Sequence, residues 1–350
     1  MIRVGSIGLG GISHGVHIPG IQASEDLELV ALCDIDEARL KERAAEYGIP
    51  AEHCYTDYRD LINDPIVDAV DISTPNDCHK EMAVYAAKAG KPFDVEKPIT
   101  LDQAEAKELL EAAEEAGVAN MLCFSYRYKA AARFARDLIK SGKLGRIYHV
   151  NCQYYQAWGL PMAHCARVWR YDKSRAGSGA LGDLGCHVLD LVQFVTGEKY
   201  TKVVAHNTIF THERLIPGTN EMGLCDVDDH CDMMLESESG TSFTFEISRF
   251  TFGRGNYQRM EIYGDFGVLI YTLDAKPGVD ELEFCDDNGT KEFVKLEIPE
   301  KYTVSQMQCF ADLVNGCADG LSATVKDGYE SQVLLDAVLE SAEKGSWVEL

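Results

Sequence analysis

An α/β fold in two parts is predicted by three observations. The chain's 350 residues, 46% of them hydrophobic, can bury a substantial core and suit two domains. From Ile2 to residue 123, short apolar stretches alternate with amphipathic ones. In the second half, strand-like runs separated by turns dominate, and helical periodicity returns at 305–316 and 326–344.

In the first part "IRVGSI", "LELVALCD", "VDAVDIS", "KPFDV" and "VANMLC" read as strands, and residues 36–47, 77–89 and 102–116 read as helices. This βα repetition predicts a mostly parallel sheet covered on both faces, ending near residue 123. Its first turn is "GLGGIS". Gly8 and Gly10 allow a tight turn and close approach to a pyrophosphate, and Gly11 and Ile12 open the helix whose backbone N–H groups favour negative charge. Ser13 takes the place of the usual third glycine or alanine. Asp34, at the end of the second strand, suits the two ribose hydroxyls of NAD and would repel the extra phosphate of NADP. Arg39 reads as an exposed helical residue. The run "STPNDCH" forms a second loop facing the cofactor, with Thr74, Pro75, Asn76 and His79 as candidate contacts; Asn76 suits a helix cap equally well.

Composition excludes several classes. With 33 basic against 57 acidic residues, the formal charge of -24 repels polyphosphate, so no nucleic acid is expected as a partner. No apolar run is long enough to span a bilayer, and "MIRVGSIGLGGIS" enters a strand without a charged leader, so a cytoplasmic location and no membrane association are expected. The 12 cysteines are dispersed without a CxxC pair, which suits reduced structural thiols. "CDVDDHCD", between Cys225 and Cys231, is too loosely spaced for a structural zinc site, and no metal is expected. Cys186 adjoins His187, but adjacent helical residues point about 100° apart and make a poor nucleophile and base pair.

The segment "SGALGDLGCHVLDL", residues 178–191, places Asp183, His187 and Asp190 in an otherwise apolar run. Helical spacings of four and three residues put them on one face. That face suits either a buried helix with satisfied polar groups or a reaction site.

Together with "GLGGIS", "STPNDCH" and "DVEKPIT", this segment resembles the Gfo/Idh/MocA family: glucose-fructose oxidoreductase, inositol dehydrogenase and rhizopine-catabolism oxidoreductase. The resemblance spans essentially the whole chain. It implies a Rossmann domain over residues 1–123, followed over 124–350 by an α/β domain for substrate binding and oligomerisation. That domain would carry a large, predominantly antiparallel sheet, with a C-terminal helix returning to the first domain. It implies that Lys97 of the EKP motif, Asp183 and His187 line the reaction site, with Glu96 and Lys97 also near the cofactor, and that Pro98 can be cis. His187 would exchange the hydroxyl proton of a secondary alcohol, Lys97 would stabilise charge on its oxygen, and NAD would take the hydride.

Tyr126 and Arg127 match positions near cofactor and substrate in similar proteins. The insert 156–179 offers Trp158, Arg167 and Trp169, which suit a polyhydroxylated ring. The expected partner is a sugar or polyol, and the expected assembly a homodimer or homotetramer. Glycoside cleavage through transient oxidation, and dinucleotide sensing without turnover, are the alternatives.

Overall fold

The computed structural model describes residues 1–275, 278–286 and 291–350. The chain divides into two compact units, Met1–Phe124 with Val304–Gln332, and Ser125–Thr303 with Val333–Leu350. The segment returning to the first unit is thus 304–332, and the last eighteen residues belong to the second unit.

In the first unit six strands, β1 (Ile2–Ile7), β2 (Leu27–Cys33), β3 (Cys54–Tyr55), β4 (Ala69–Ile72), β5 (Phe93–Val95) and β6 (Asn120–Leu122), form an all-parallel sheet in the order β3-β2-β1-β4-β5-β6. The order reverses between β1 and β4, and there the loops after parallel strands diverge to leave a crevice for a dinucleotide. The glycine turn follows β1 and the Thr74–Pro75 turn follows β4, so the two loops read as cofactor contacts flank that switch point. Covering helices start on side-chain caps. Asp36 accepts from the N–H groups of Ala38 and Arg39 at the head of Glu37–Tyr47, and Asp102 from that of Glu105 at the head of Gln103–Ala116. Gly48 and Gly117, in the left-handed region, end the same two helices. The sequence reading omitted β3 and the helix Tyr58–Asn63, both too short to show a period.

Among the described residues the second unit carries nine strands in one sheet: β7 (Ile147–Tyr155), β8 (Tyr200–Thr208), β11 (His230–Ser237), β12 (Ser242–Ser248), β13 (Tyr257–Gly264), β14 (Gly267–Asp274), β15 (Val279–Asp286), β16 (Val294–Lys295) and β17 (Val348–Glu349). Their order is β16-β15-β14-β13-β7-β12-β11-β8-β17; β7 and β12 pair parallel, and the other described pairs are antiparallel. A separate hairpin pairs β9 (Glu213–Leu215) with β10 (Met222–Leu224). Burial alternates along β11 and β12, as expected where one face is packed and the other open. Helices Ala130–Lys140 and Cys186–Thr196 pack on each other within this unit.

Each unit contains one turn of π-helix leading into an α-helix: Ser13–His17 into Ile18–Ala23, and Leu181–Gly185 into Cys186–Thr196. Such turns are rare and recur at functional sites.

Candidate active site

In the first unit the glycine turn is shaped for close approach. Gly8 has φ +86°, and a Cβ there would fall 2.8 Å from Thr74 and 2.9 Å from the Ser73 carbonyl. Only glycine suits that position. At Gly10 and Gly11 a Cβ would meet nothing within 4 Å, so the turn's outer side has room for a phosphate group. Ile12 is partly exposed, and Ser13 is buried with its hydroxyl 3.2 Å from that of Ser6. Asp34 sits where the β2 end predicts. Its Oδ2 accepts the Leu9 N–H at 2.8 Å and its Oδ1 that of Asp36 at 2.9 Å. Arg39, read as merely exposed, instead donates to both oxygens, Nε to Oδ2 and a terminal nitrogen to Oδ1, each at 2.8 Å. Burial raises the Asp34 pKa, but Arg39 and the two backbone donors outweigh it and hold the carboxyl below its usual range. The glycine turn and the ionised Asp34 fit the ribose and pyrophosphate of NAD.

Pro75 stands at the capping position of the helix Asn76–Lys88, with no side-chain cap, so Asn76 opens that helix rather than capping it. His79 is fully buried: Nδ1 lies 2.9 Å from the Pro98 carbonyl and Nε2 2.9 Å from the Thr74 carbonyl. Burial lowers its pKa despite the two carbonyls, and a neutral ring donates to one of them. His79 is therefore a brace within the protein, and the expectation that it contacts the cofactor is corrected. The Lys97–Pro98 peptide is cis.

Sequence reasoning missed a buried cluster beside this loop. Asp71 and Asp94, neighbours in register on β4 and β5, are fully buried. His17 lies with Nδ1 2.6 Å from Asp71 Oδ1 and Nε2 3.1 Å from Glu96 Oε1. Burial opposes charge on His17, yet Asp71 and Glu96 raise its pKa well above the usual value. Burial likewise works against charge on Asp71, and His17 outweighs it to keep that carboxyl low. Asp94 is pushed well up by burial and by the Asp71 charge beside it. Ligand-type atoms of His17, Glu96 and Cys123, and of His17, Asp71 and Asp94, lie within 4.8 Å of one another. Protons on both His17 nitrogens account for its two carboxylate partners without an ion.

In the second unit the helix turn bearing Asp183 is anchored by Asp228, whose Oδ1 and Oδ2 accept the N–H groups of Gly179 and Leu181, each at 2.7 Å. The Asp228 carbonyl accepts the Ala180 N–H, also at 2.7 Å. A Cβ at position 179 would fall 1.8 Å from that carbonyl oxygen, so the close approach requires glycine. Asp183 is flanked by two arginines, Arg249 at 3.4 Å and Arg170 at 3.8 Å. Arg249 is itself fully buried, donates to the Gly179 carbonyl at 2.8 Å and lies over the Trp158 ring.

His187 is buried, with its ring edge-on to Tyr126 at 4.7 Å and near Tyr154 at 6.4 Å between centroids. The Tyr126 and Tyr154 hydroxyls are 2.6 Å apart, and both reach the Asn256 side chain. Gln156 joins them, donating to Asn256 Oδ1 at 2.9 Å and accepting from the Trp158 indole N–H at 2.5 Å. Tyr154, Gln156, Asn256 and Arg249 escaped the sequence reading; a cluster of aromatic and amide side chains in "QYYQAW" was the available signal.

Two residues expected to contact substrate are also engaged within the protein. Arg127 is buried and forked onto Asp190, Nε to Oδ2 at 2.8 Å and a terminal nitrogen to Oδ1 at 2.5 Å. Arg167 donates to the Leu224 carbonyl at 2.6 Å and to Asp172 at 3.0 Å, stapling the insert to the hairpin. Both therefore have structural partners, and a contact with substrate is a further role proposed for them. Trp169 is half-buried, with the Arg170 guanidinium over its ring.

Residues 2–124 match the family model described as an oxidoreductase family with an NAD-binding Rossmann fold, and residues 132–270 match the GFO/IDH/MocA C-terminal domain. Levoglucosan dehydrogenase of Pseudarthrobacter phenanthrenivorans is 31% identical over 88% of this chain and 86% of its own. The chain belongs to the Gfo/Idh/MocA family of NAD-binding oxidoreductases. Within the family, 1,5-anhydro-D-fructose reductase of Ensifer adhaerens is 34% identical over 100% of this chain and 99% of its own. The solved structure of levoglucosan dehydrogenase in complex with NADH and L-sorbose superposes with TM-score 0.89 at 29% identity, covering 99% of this chain and 98% of that one. This family member is accordingly an enzyme, an oxidoreductase with NAD as cofactor. Among the described residues no helix is long and apolar enough to cross a membrane.

Proposed function

We propose that the protein is an NAD-dependent dehydrogenase acting reversibly on a secondary alcohol of a sugar, inositol or sugar derivative. The observation that carries this reading is the set around His187: an imidazole against two tyrosines whose hydroxyls run through Asn256 and Gln156 to the Trp158 indole. Hydroxyl and amide groups beside an indole face match a ring that is polar at its edges and apolar across its C–H face. Relatives named for levoglucosan, 1,5-anhydro-D-fructose and myo-inositol support the same substrate class.

The Gly8–Ile12 turn and Asp34 would hold NAD, which when bound supplies the hydride acceptor. His187 accepts the hydroxyl proton, and in the reverse direction returns it. The Lys97 ammonium stabilises negative charge growing on the substrate oxygen. Asp183, held by Arg249 and Arg170, orients its neighbours. The open face of the nine-stranded sheet, including Asn151, Thr244 and Glu246, is the surface assigned to assembly into a dimer or tetramer.

Incubation with NAD and a panel containing levoglucosan, myo-inositol and simple glycosides, with product mass analysis, tests the reading. Net NADH and a ketone two mass units lighter are expected. Aglycone release without net NADH would overturn it in favour of cleavage, and NAD binding without turnover of any sugar or polyol would favour a sensor.

A further inference from the structure

The buried cluster of the first unit has no part in the chemistry assigned so far, yet it is costly to keep. β4 and β5 lie in the middle of a parallel sheet, where continuous apolar side chains are the rule, and each carries an aspartate there. Buried carboxyl groups persist only with partners that repay their lost hydration. Asp71 has several: the Ser6 hydroxyl donates to Oδ2 at 2.6 Å, His17 Nδ1 and the Ser73 hydroxyl reach Oδ1 at 2.6 and 3.1 Å, and the Asp94 carboxyl is hydrogen-bonded beside them. Asp94 accepts from the Cys123 thiol at 3.3 Å and lies 3.7 Å from His17 Nδ1.

The line of hydrogen bonds continues out of this core. His17 Nε2 faces Glu96 Oε1, while the other carboxylate oxygen of Glu96 accepts the backbone N–H of Lys97 at 3.2 Å. The imidazole thus connects the sheet centre, through one carboxylate, to the main chain of the lysine. On the far side of the lysine, the Pro98 carbonyl rests on His79. His17 also closes the π turn that follows the glycine loop, so one residue ties the phosphate-binding turn to the EKP turn.

We propose that His17 is a positioning residue for hydride transfer: seated between Asp71 and Glu96, it fixes the Glu96–Lys97–Pro98 turn and thereby the direction in which the Lys97 ammonium is presented. This rests on the reading that Lys97 acts on the substrate oxygen. A reacting group displaced by about 1 Å can lose on the order of 100-fold in rate, so a hydrogen bond that sets a main-chain turn has leverage beyond its own strength.

Two near-isosteric variants separate this role from mere satisfaction of the buried acids. In His17→Gln the amide N–H₂ falls near the place of Nε2 and keeps the link to Glu96. In His17→Asn it falls near Nδ1, keeping Asp71 satisfied and breaking the link to Glu96. Single-turnover NAD reduction with the best substrate of the panel is expected to fall roughly 10- to 100-fold in H17N and clearly less in H17Q. A purely structural histidine reverses that order, because Asp71 is the more deeply buried carboxylate.

The second readout needs neither substrate nor cofactor. Competitive acetylation of lysines, read by mass spectrometry across pH, should change at Lys97 in H17N and in E96Q, leave Lys97 near wild type in H17Q, and leave the other lysines unmoved. E96Q keeps the His17–Asp71 pair and serves if either His17 variant fails to fold. Unchanged Lys97 acetylation in H17N and E96Q, or faster turnover in H17N than in H17Q, overturns the proposal. If K97A itself transfers hydride at the wild-type rate, the role given to Lys97 fails, while the acetylation result still decides whether His17 positions it.

Discussion

The two π turns among the described residues place histidine and carboxylate groups in different company. In the first unit the imidazole of His17 is itself the cation facing Asp71 and Glu96. In the second, guanidinium groups face the carboxylates, Arg127 on Asp190 and Arg249 and Arg170 on Asp183, while His187 packs against tyrosine rings. Arginine keeps its charge at every accessible pH; histidine does not. The charge balance of the second cluster is therefore permanent, and that of the first can be switched off by base. On the roles proposed above for His17 and His187, the cations supplied to the neighbouring acids distinguish the brace from the acid and base.

The largest test of this difference is to break the second cluster. Arg127→Met leaves Asp190 buried without its guanidinium and is expected to cost about 3–5 kcal/mol in chemical denaturation. A loss below about 1 kcal/mol would mean that the pair is not the support described. Next in size, His187→Ala should bind NAD normally and lose roughly 100-fold or more in single-turnover hydride transfer, as the loss of a positioned base does. Wild-type rates across pH in that variant would make His187 a second brace and erase the contrast.

Asp34→Ala should narrow the preference for NAD(H) over NADP(H), measured by calorimetry, by about 10-fold, the worth of the ribose hydrogen bonds and the removed repulsion. Arg39, released from its partner, would then face a phosphate more readily.

The smallest effect belongs to Asp94, and its sign follows from the raised pKa. The unfolded chain ionises this acid near pH 4 whereas the folded protein keeps it protonated, so its contribution is intact below that pH and is lost as pH rises toward the folded pKa. Asp94→Asn should therefore match wild type in stability near pH 4 and exceed it by roughly 1 kcal/mol at pH 8. His17, also raised, likewise contributes most below about pH 6.5, its unfolded value, and loses that contribution as pH climbs through the folded one. Urea midpoints compared across pH would show whether the first cluster weakens in base.

What the sequence made legible was local. The glycine turn and the position of Asp34 at the end of a strand are each specified within a few residues, and the alternation of periods sufficed for the parallel sheet. The buried cluster joins positions 17, 71, 94 and 96, and no spacing rule brings those together. A trace was nonetheless present: "DAVDIS" and "PFDV" each carry an acid inside a strand that must be covered on both faces. Arg127 and Asp190 read separately in the sequence, as a substrate contact and as part of a polar helix face, because their meeting depends on how two helical segments of the second unit pack. Helical spacing also promised one polar face for Asp183, His187 and Asp190. The π turn at Leu181–Gly185 changes the angular step there, and the three side chains are met by different partners.

The approach of Gly179 to Asp228 carries a consequence for how such an enzyme can diversify. The helix bearing Asp183 and His187 is anchored from residue 228, beyond the sequence of the insert that precedes it. The loop from Gln156 to Ser178 can then be lengthened, shortened or exchanged while the anchor holds the helix start in register. On the function proposed above, specificity would be a replaceable part and the proton-transfer group a fixed one, and that loop would be the segment to graft between relatives when a new sugar is wanted.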